Sequence, residues 1–322
     1  MQKPLTFLIA LLLVACQYVM AQSVESFDYD PGTTIEGLSG GTNWGGDWTV
    51  LKGNEQSATA AGNISVGALG VASGTNHLAV THAGSGGIRA FRLLDAAIID
   101  DGNTYYMSWF QDAEYDNPAG NGSVAQAIIT RSAGFGSGGP GGQLVRMGKI
   151  FGSEEFGVDG ANGLAAQRIA GTDTREGMFV IAKITMSGDA ERDTVRIFIN
   201  PAVDATELDN AAADMTRTPD LNDGFDAYGF KVEGGAALDA AFDEFRFGTS
   251  ASEVIGDNVM GVAGVNVDQF NEYAAGDGLD GQDGGLGWGG PWVTRSGDDP
   301  VVTEGGLRNF TLLKETSGNR VA

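Results

Sequence analysis

The sequence predicts an all-β protein, a two-sheet antiparallel sandwich followed by an incomplete second copy of the same domain. Three observations indicate this fold. Short stretches of alternating apolar and polar residues recur between positions 78 and 248, the chain contains 51 glycines, many of them in turn sequences between those stretches, and a tryptophan-rich segment near the start recurs near the end. Aromatic content is ordinary at 9% and glycine follows no three-residue period, so a disordered or collagen-like chain is excluded.

The first 21 residues have the pattern of a signal peptide. A lysine precedes an apolar run from Leu5 to Val14, and small residues lie between Val19 and Ala21, which predicts cleavage after Ala21. The apolar run is shorter than the roughly 20 residues of a transmembrane helix, so no transmembrane span is expected. An alternative is a lipid anchor, because the four residues that end at Cys16 have the form of a lipobox. The chain is therefore expected to be secreted or held at the cell surface.

Charge and cysteine content exclude several classes of function. The formal charge is -23 and the pI is near 4.2, whereas binding to nucleic acid needs a positive field that displaces counterions. Cys16 is the only cysteine, and cleavage after Ala21 would remove it. Disulfides, thiol catalysis and cysteine-based zinc sites are then excluded from the mature chain.

An internal repeat divides the chain into domains. From Tyr29 onward, matching glycines and aromatic residues lie 244 positions apart. A repeat of that length suits tandem globular domains. The predicted organisation is a signal peptide over 1–21, a sandwich over 22–256, a linker over 257–265 and the truncated start of a second copy over 266–322; alternatively, the last fifty residues pack on the first domain. Because the aromatic residues recur within the same glycine frame, a structural role is favoured over sugar stacking for Phe27, Tyr29, Trp44, Trp48, Phe270, Tyr273, Trp288 and Trp292.

Strand patterns dominate the sequence between the two copies, and helical patterns are nearly absent. Only Ala202–Met215 could form a short helix or turn. The number and spacing of the strands are typical of a two-sheet sandwich. The predicted strands are Leu78–His82, Ile88–Leu94, Tyr105–Phe110, Val124–Arg131, Leu144–Phe151, Met178–Met186, Thr194–Ile199, Phe225–Val232 and Ala241–Phe247.

Several of these segments carry a family resemblance. The opening aromatic–glycine motif, the strand Tyr105–Phe110 and the segment Phe179–Asn200 resemble concanavalin A-like lectin/glucanase (laminin G-like) jelly-roll domains. The closing segment Phe242–Ser250 is similar to the last strand of such domains in large secreted bacterial proteins. The resemblance covers residues 24–256 and again 266–322. It implies a jelly-roll sandwich, and it leaves sugar binding, hydrolysis and adhesion open because this fold serves all three.

Catalytic patterns are not found. Glycosidases need two carboxylates about 5 to 10 Å apart, and the hydrolases of this fold carry them in an acidic cluster that alternates along one strand. Ser153–Asp159 and Asp239–Glu244 come nearest, and neither has that spacing. His77 and His82 are five residues apart on a predicted strand, hence on opposite faces, and are interpreted as surface residues. The chain is therefore not expected to be an enzyme.

Basic residues within the predicted strands indicate a cationic, aromatic-lined groove. Lys183 alternates with Phe179, and Arg196 alternates with Phe198, so each pair shares one face of its strand. If both strands present these residues on the open face of one sheet, the groove would suit an acidic polysaccharide. The residues predicted to bind a ligand are Arg131, Lys183, Arg196, Phe198 and Trp109.

The alternative is that these cations, together with Arg146 and Arg246, pair with acids on neighbouring strands. Asp193 and Glu244 are candidate partners. Exposed pairs of this kind contribute little to stability and would serve no ligand.

No cofactor is predicted, although calcium is kept as an option. Asp277, Asp280 and Asp283 are spaced among glycines like an oxygen-rich cation loop. The first copy has no comparable acidic set at the matching positions, so a solvated turn is favoured. Loop acids elsewhere, nominally Asp47, Asp223 and Asp226, are weaker calcium candidates.

The sequence favours a non-catalytic, lectin-like carbohydrate-binding module of a secreted or cell-surface protein. A glycan or cell-surface polysaccharide is the expected partner. The competing hypothesis is a structural or adhesive sandwich repeat with no small-molecule ligand, and a weaker one is a glycoside hydrolase. A concave polar groove would favour the first, and a filled, featureless sheet face the second.

Overall fold

The computed structural model describes residues 22–255, apart from 53–55, 67–70, 74–75, 85, 100–101, 115–121, 138–142, 161–163, 189–191, 202–207 and 222. The chain divides into two compact units, Met1–Ala263 and Gly264–Ala322, and every described residue belongs to the first. The signal peptide, Cys16 and the second copy of the motif lie outside the described residues, so the predictions made for them stay predictions.

The described residues form seventeen strands, one 3-10 helix over Ser132–Ser137 and one short α-helix, α1, over Ala251–Ile255. The strands are β1 Ser23–Glu25, β2 Thr49–Lys52, β3 Gln56–Ala61, β4 Ser65–Val66, β5 Val71–Ala72, β6 Asn76–Ala83, β7 Gly86–Ile98, β8 Thr104–Glu114, β9 Ser123–Thr130, β10 Gln143–Lys149, β11 Phe156–Gly160, β12 Gln167–Arg168, β13 Met178–Thr185, β14 Thr194–Ile199, β15 Met215–Arg217, β16 Phe225–Gly234 and β17 Ala237–Gly248.

Two antiparallel sheets contain nearly all of these strands. Sheet 1 has the order β15-β14-β13-β8-β17-β6-β3, and β1 pairs with β17 beside β6. Sheet 2 has the order β12-β11-β10-β9-β16-β7-β2, and β4 and β5 form a separate pair. The two sheets pack face to face around one large apolar core. The predicted two-sheet antiparallel sandwich is confirmed, and each of the nine predicted strands overlaps an observed one.

Alternation along the strands determines which side chains enter the core. On β14, Val195 and Ile197 are buried in the core, so the intervening Arg196 points to the outer face of sheet 1. On β16, Phe230 and Val232 face the core, and Lys231 therefore points to the outer face of sheet 2. The two outer faces are the surfaces on which a ligand site can form.

The opening aromatic–glycine motif builds a buried cluster around an ion pair. Arg92 on β7 donates a hydrogen bond to the Glu25 carboxylate on β1, and both side chains are at most 3% exposed. Trp48 Nε1 and Tyr29 Oη donate to the same carboxylate, each at 3.0 Å. The Arg92 guanidinium also lies 5.2 Å from the Trp44 ring centroid. The tryptophans of the described copy are thus held inside a hydrogen-bonded cluster instead of forming a flat exposed platform.

Glycines of the motif are required by close packing. A Cβ at Gly45 would lie 2.3 Å from the Leu94 carbonyl oxygen, and one at Gly40 would lie 2.4 Å from the Tyr29 hydroxyl oxygen. Both distances are shorter than any van der Waals contact, so a larger residue would displace the Leu94 backbone or the Tyr29 side chain. This packing gives a physical reason for the glycine frame around the aromatic residues.

His82 corrects one sequence interpretation. It was expected at the surface, but it is 1% exposed and lies at the end of β6 with its Nε2 3.2 Å from the Gly234 carbonyl oxygen. His77, on the same strand, is part-exposed, and its Nδ1 lies 2.9 Å from the Gly62 carbonyl oxygen. The two histidines do lie on opposite faces of β6, and the face that His82 shares with Leu78 and Val80 is the buried one.

Within the described part of the chain, no helix has the length and apolar character needed to cross a membrane.

Candidate functional site

Three of the five predicted binding residues come together on the outer face of sheet 1. Lys183 and Arg196 are paired neighbours on β13 and β14, and the Arg196 guanidinium lies 5.2 Å from the Phe198 ring centroid. The sequence therefore placed these side chains on one face correctly. Their role in binding a ligand stays a prediction.

A short segment after β14 covers this patch. Asp209 accepts a hydrogen bond from Lys183 Nζ at 2.7 Å and another from the Tyr106 hydroxyl. These two hydrogen bonds lower the pKa of Asp209, so its carboxylate stays charged. Arg196 donates to the backbone carbonyl of Ala211. The cations that were predicted to meet a ligand are thus engaged by the protein's own chain.

The other two predicted residues lie elsewhere. Trp109 is 0% exposed in the core, where its Nε1 donates to Gln111 Oε1 at 2.8 Å. Arg131 lies at the end of β9 and donates to the Gly224 carbonyl and to the Asp223 carboxylate, each at 2.9 Å. The structure therefore does not gather the five residues into one groove, because β8 turns Trp109 inward and Arg131 belongs to sheet 2.

The alternative of ion pairing is observed for four of the five basic residues: Arg146 with Asp159, Lys183 with Asp209, Arg131 with Asp223 and Arg246 with Glu244. Of these pairs, that of Arg146 and Asp159 joins neighbouring strands of one sheet, β10 and β11. Arg246 pairs with Glu244 at 2.8 Å, within a β-bulge of β17. Asp193, the other candidate acid, is 0% exposed and accepts hydrogen bonds from the backbone N–H groups of Ser187 and Leu221; it has no ion pair with an arginine or lysine among the described residues. Its carboxylate fixes the ends of two loops.

A second group of polar side chains occupies the outer face of sheet 2, and it is the stronger candidate site. The group is continuous across five adjacent strands, from β7 to β11. Its charged side chains are 9–25% exposed, so they are half-buried without being sealed from solvent. We call it the sheet-2 charge cluster; it consists of Arg89, Gln126, Arg146, Asp159, Lys231 and Glu233.

Strand register brings one half of the cluster together around Glu233. Lys231 on β16 is directly opposite Arg89 on β7. Arg89 donates two hydrogen bonds of 2.8 Å to the two oxygens of Glu233, and Lys231 Nζ lies 2.6 Å from Glu233 Oε1. A bidentate arginine–carboxylate pair has a fixed geometry, so these three side chains are held in one arrangement.

Asp159 organises the other half. Arg146 on β10 faces Asp159 on β11 and donates from Nε to Oδ1 at 2.8 Å. Gln126 on β9, which is 1% exposed, donates to the same oxygen at 3.2 Å. Because Gln126 is also the register partner of Lys231, it joins the two halves into one surface.

Burial and neighbouring charges in the cluster shift the pKa values of two groups, Glu233 and Lys231. Burial alone would raise the pKa of Glu233, but hydrogen bonds from Arg89 and Lys231 outweigh it and lower the pKa to about 2. Burial lowers the pKa of Lys231; Glu233 opposes that shift, and the positive charges of Arg146 and Arg89 add to it. Glu233 is therefore an ionised acceptor at every physiological pH.

Small residues keep the strands of this face close together. Gly229 lies between Ala227 and Lys231 on the outer side of β16, and a Cβ there would meet the Ala90 carbonyl oxygen at 2.2 Å. At one end the face is covered by the 3-10 helix, whose Phe135 packs on Phe91 with ring centroids 5.2 Å apart. The charge cluster begins where this apolar cover ends.

The geometry of the cluster does not match the needs of glycoside hydrolysis. A hydrolase of that type needs one protonated carboxyl as general acid. Glu233 is ionised, and Asp159 is bonded to Arg146 and Gln126. Burial raises the pKa of Asp243 to about 8, but this residue is 0% exposed on β17 of the other sheet.

Metal ligands do not assemble in the described residues, where no group of three or more His, Cys, Asp or Glu side chains could hold an ion. Two of the nominal calcium candidates have other partners: Asp223 pairs with Arg131, and Asp226 accepts from the backbone N–H and the hydroxyl of Ser132. Calcium binding stays a prediction for the remaining loops.

Comparison with known proteins finds distant structural likeness only. No family model and no curated protein matches the chain. Among solved structures it is similar to an endo-1,3-beta-glucanase from Streptomyces sioyaensis (10% identity, TM-score 0.43, 70% of this chain and 95% of that one). It is also similar to the calreticulin globular domain of T. cruzi (11%, 0.42, 63% and 84%) and to arcelin-5, a lectin-like defense protein from Phaseolus vulgaris (11%, 0.38, 70% and 97%).

These structures are of the concanavalin A-like lectin/glucanase type, the class that the sequence resembles. With identities near one in ten and TM-scores below 0.5, they identify neither a site nor an activity. The function must therefore be inferred from the side chains of this protein itself.

The sequence contained a partial signal for the cluster. Lys231 and Glu233 alternate with Phe230 and Val232, which is the pattern of charged residues on one face of a buried strand. Arg146 was noted as a basic residue within a strand, but its partners come from strands far away in the chain. The contacts among the residues of the cluster follow from the strand pairing of sheet 2, which the sequence alone does not give.

Proposed function

We propose that this chain is a non-catalytic, lectin-like carbohydrate-binding module of a secreted or cell-surface protein. The observation that supports this most directly is the sheet-2 charge cluster, in which donors and acceptors lie side by side on one half-buried sheet face. Sugar hydroxyl groups both donate and accept hydrogen bonds, so they suit a surface that offers both. Side chains already held by ion pairs also lose little conformational entropy when a ligand binds.

Export is supported by the leader pattern of residues 1–21. The absence of catalysis is supported by the chemistry of the cluster. Its carboxylates are engaged by cations, and Glu233 is ionised with a pKa of about 2. A general acid is therefore missing from the face on which we expect a glycan to lie.

A structural or adhesive repeat is the second candidate function. It is favoured by the engagement of Lys183 and Arg196 with the segment that covers them, and by the placement of the opening motif around the buried Glu25–Arg92 pair. On that hypothesis the charge cluster would only stabilise sheet 2. The two hypotheses differ in whether the cluster meets a ligand.

A glycan array on the exported chain tests the proposal, with and without added calcium. We expect binding to at least one glycan family, and a loss of about tenfold or more in Glu233→Gln, because that change releases Arg89 and Lys231 from their fixed positions. Arg192→Ala is the matched control, since Arg192 is exposed on the β13–β14 connection of sheet 1. Circular dichroism checks that both variants are folded. If no glycan binds under either condition, the structural-repeat hypothesis replaces this one.

A further inference from the structure

We infer that the sheet-2 charge cluster takes a glycan that carries carboxylate groups, that is, a polysaccharide built wholly or partly from uronic acids. This inference rests on the proposed function and specifies the ligand class of the same site.

The cluster carries an excess of positive charge. Within the described residues, Arg89, Arg146 and Lys231 face two carboxylates, Asp159 and Glu233, which leaves one positive charge in a chain whose formal charge is -23. A neutral sugar would leave that charge without a counter-charge. A uronate would neutralise it, and the half-buried setting would strengthen the attraction relative to a fully exposed pair.

Arg146 has the donors that a carboxylate requires. Its Nε is bonded to Asp159, whereas its two terminal nitrogens make no hydrogen bond within the described part of the chain. The side chain is 25% exposed, the largest exposure among the charged members of the cluster. A guanidinium group presents paired N–H donors in one plane, which match the two oxygens of a carboxylate.

Lys231 provides a second point of contact. Its ammonium group has three donors, and its one ion pair is with Glu233 at 2.6 Å. Lys231 and Arg146 lie on strands two apart in the sheet, β16 and β10, so their backbones are separated by about 10 Å. An extended chain of sugars is long enough to contact both.

Other basic patches lack these features. Lys183 is paired with Asp209, Arg131 with Asp223, and Arg246 with Glu244. Arg196, the second cation beside Lys183, donates to the backbone carbonyls of Asp209 and Ala211. Lys183 and Arg196 are further covered by the segment after β14. The sheet-2 charge cluster thus differs from the Lys183–Arg196 patch in that the terminal nitrogens of Arg146 make no hydrogen bond within the described residues.

The test compares a uronic acid oligomer with its carboxyl-reduced form, which has the same sugar rings without the charges. Isothermal titration calorimetry on the full exported chain is done at about 0.15 M salt, where the Debye length of about 8 Å screens repulsion from distant acids. A sulfated oligosaccharide of equal length is the third ligand. We expect the uronate to bind about tenfold or more tightly than the reduced form, as one charge-assisted hydrogen-bonded pair provides.

Variants assign that preference to the cluster. Arg146→Ala is expected to abolish the preference for the uronate, and Arg146→Lys to retain part of it, because the charge remains while the planar fork is lost. Arg192→Ala removes the same charge from an exposed position on the other sheet and is expected to bind like the original chain. If Arg146→Ala is unfolded by circular dichroism, Arg146→Lys and Lys231→Met decide the question.

The outcomes separate this inference from the proposed function. Equal binding of the uronate and its reduced form, or a preference for the sulfated ligand, overturns the inference and leaves carbohydrate binding in place. A uronate preference that survives in folded Arg146 variants overturns the assignment to the cluster. If neither these ligands nor any glycan on the array binds, the proposed function itself is wrong.

Discussion

Asp243 should make the stability of the fold decrease with rising pH. This carboxyl is 0% exposed on β17, and its Oδ1 accepts from the backbone N–H of Glu244. Burial, together with the nearby charges of Glu244 and Asp28, raises its pKa from 3.8 to about 8 despite a hydrogen bond from Ser73. The folded state therefore holds a proton that the unfolded state releases.

The sign and size of the effect follow from linkage. Between pH 4 and pH 8 the folded state binds more protons than the unfolded state, so this contribution is full below pH 4 and is lost as the pH rises towards 8. Each pKa unit corresponds to 1.36 kcal/mol, so raising the pH from 5 to 8 should cost about 4 kcal/mol. Asp243→Asn keeps the acceptor oxygen and the shape of the side chain and carries no titrating group.

Urea denaturation followed by tryptophan fluorescence measures this contribution. The difference in unfolding free energy between Asp243→Asn and the original chain should grow by about 4 kcal/mol from pH 5 to pH 8, in favour of the variant. Asp239→Asn, on the exposed side of the same strand, is the matched control and should show no such growth. A difference for Asp243→Asn that stays constant across this pH range would refute the reasoning.

Three further predictions concern stability, each measured by urea denaturation. Glu25→Gln should lower the unfolding free energy by about 3–5 kcal/mol because it leaves the Arg92 charge buried without a carboxylate, and a loss below about 1 kcal/mol would contradict this. Burial lowers the pKa of Lys149 from 10.5 to about 8, so between these pH values the unfolded state binds a proton that the folded state has released. The unfolding free energy should therefore rise by about 3 kcal/mol between pH 8 and pH 10.5. Lys149→Met should abolish this rise. Gly45→Ala should cost about 1–3 kcal/mol through a backbone clash, whereas Gly46→Ala, whose Cβ would meet its nearest neighbour at 3.8 Å, should have little effect; equal losses would contradict the packing argument.

The main strands were predictable because their side chains alternate over six or more residues. β14 shows this most simply, since Val195, Ile197 and Ile199 belong to one face and Arg196 to the other. The strands that escaped prediction are short or lack apolar residues. β12, for example, is the exposed pair Gln167–Arg168, whose extended form depends on its hydrogen bonds to β11. Such strands are held in extended form by pairing with a neighbouring strand, so a local sequence pattern does not predict them.

The candidate site was harder to predict than the fold. Alternation placed Lys183 and Arg196 on one face, but it could not show that Asp209 would cover them. The sheet-2 charge cluster depends on pairing between β7, β9, β10, β11 and β16, and its ion pair between Arg89 and Glu233 spans 144 positions of sequence. His82 was misplaced for a similar reason, because β6 is buried along the face that carries it.

The pairing of β1 with β17 determines how the domain responds to tension. Ser23 is opposite Phe247 and Glu25 is opposite Phe245, so the chain enters and leaves this part of the sandwich at the same edge. Because the two strands are antiparallel, a pull on residues 22 and 248 would load their hydrogen bonds one after another instead of all at once. The pair Ser23–Phe247 would be loaded first and the pair Glu25–Phe245 last. The buried cluster around Glu25 would therefore be reached only after the rest of β1 had separated from β17.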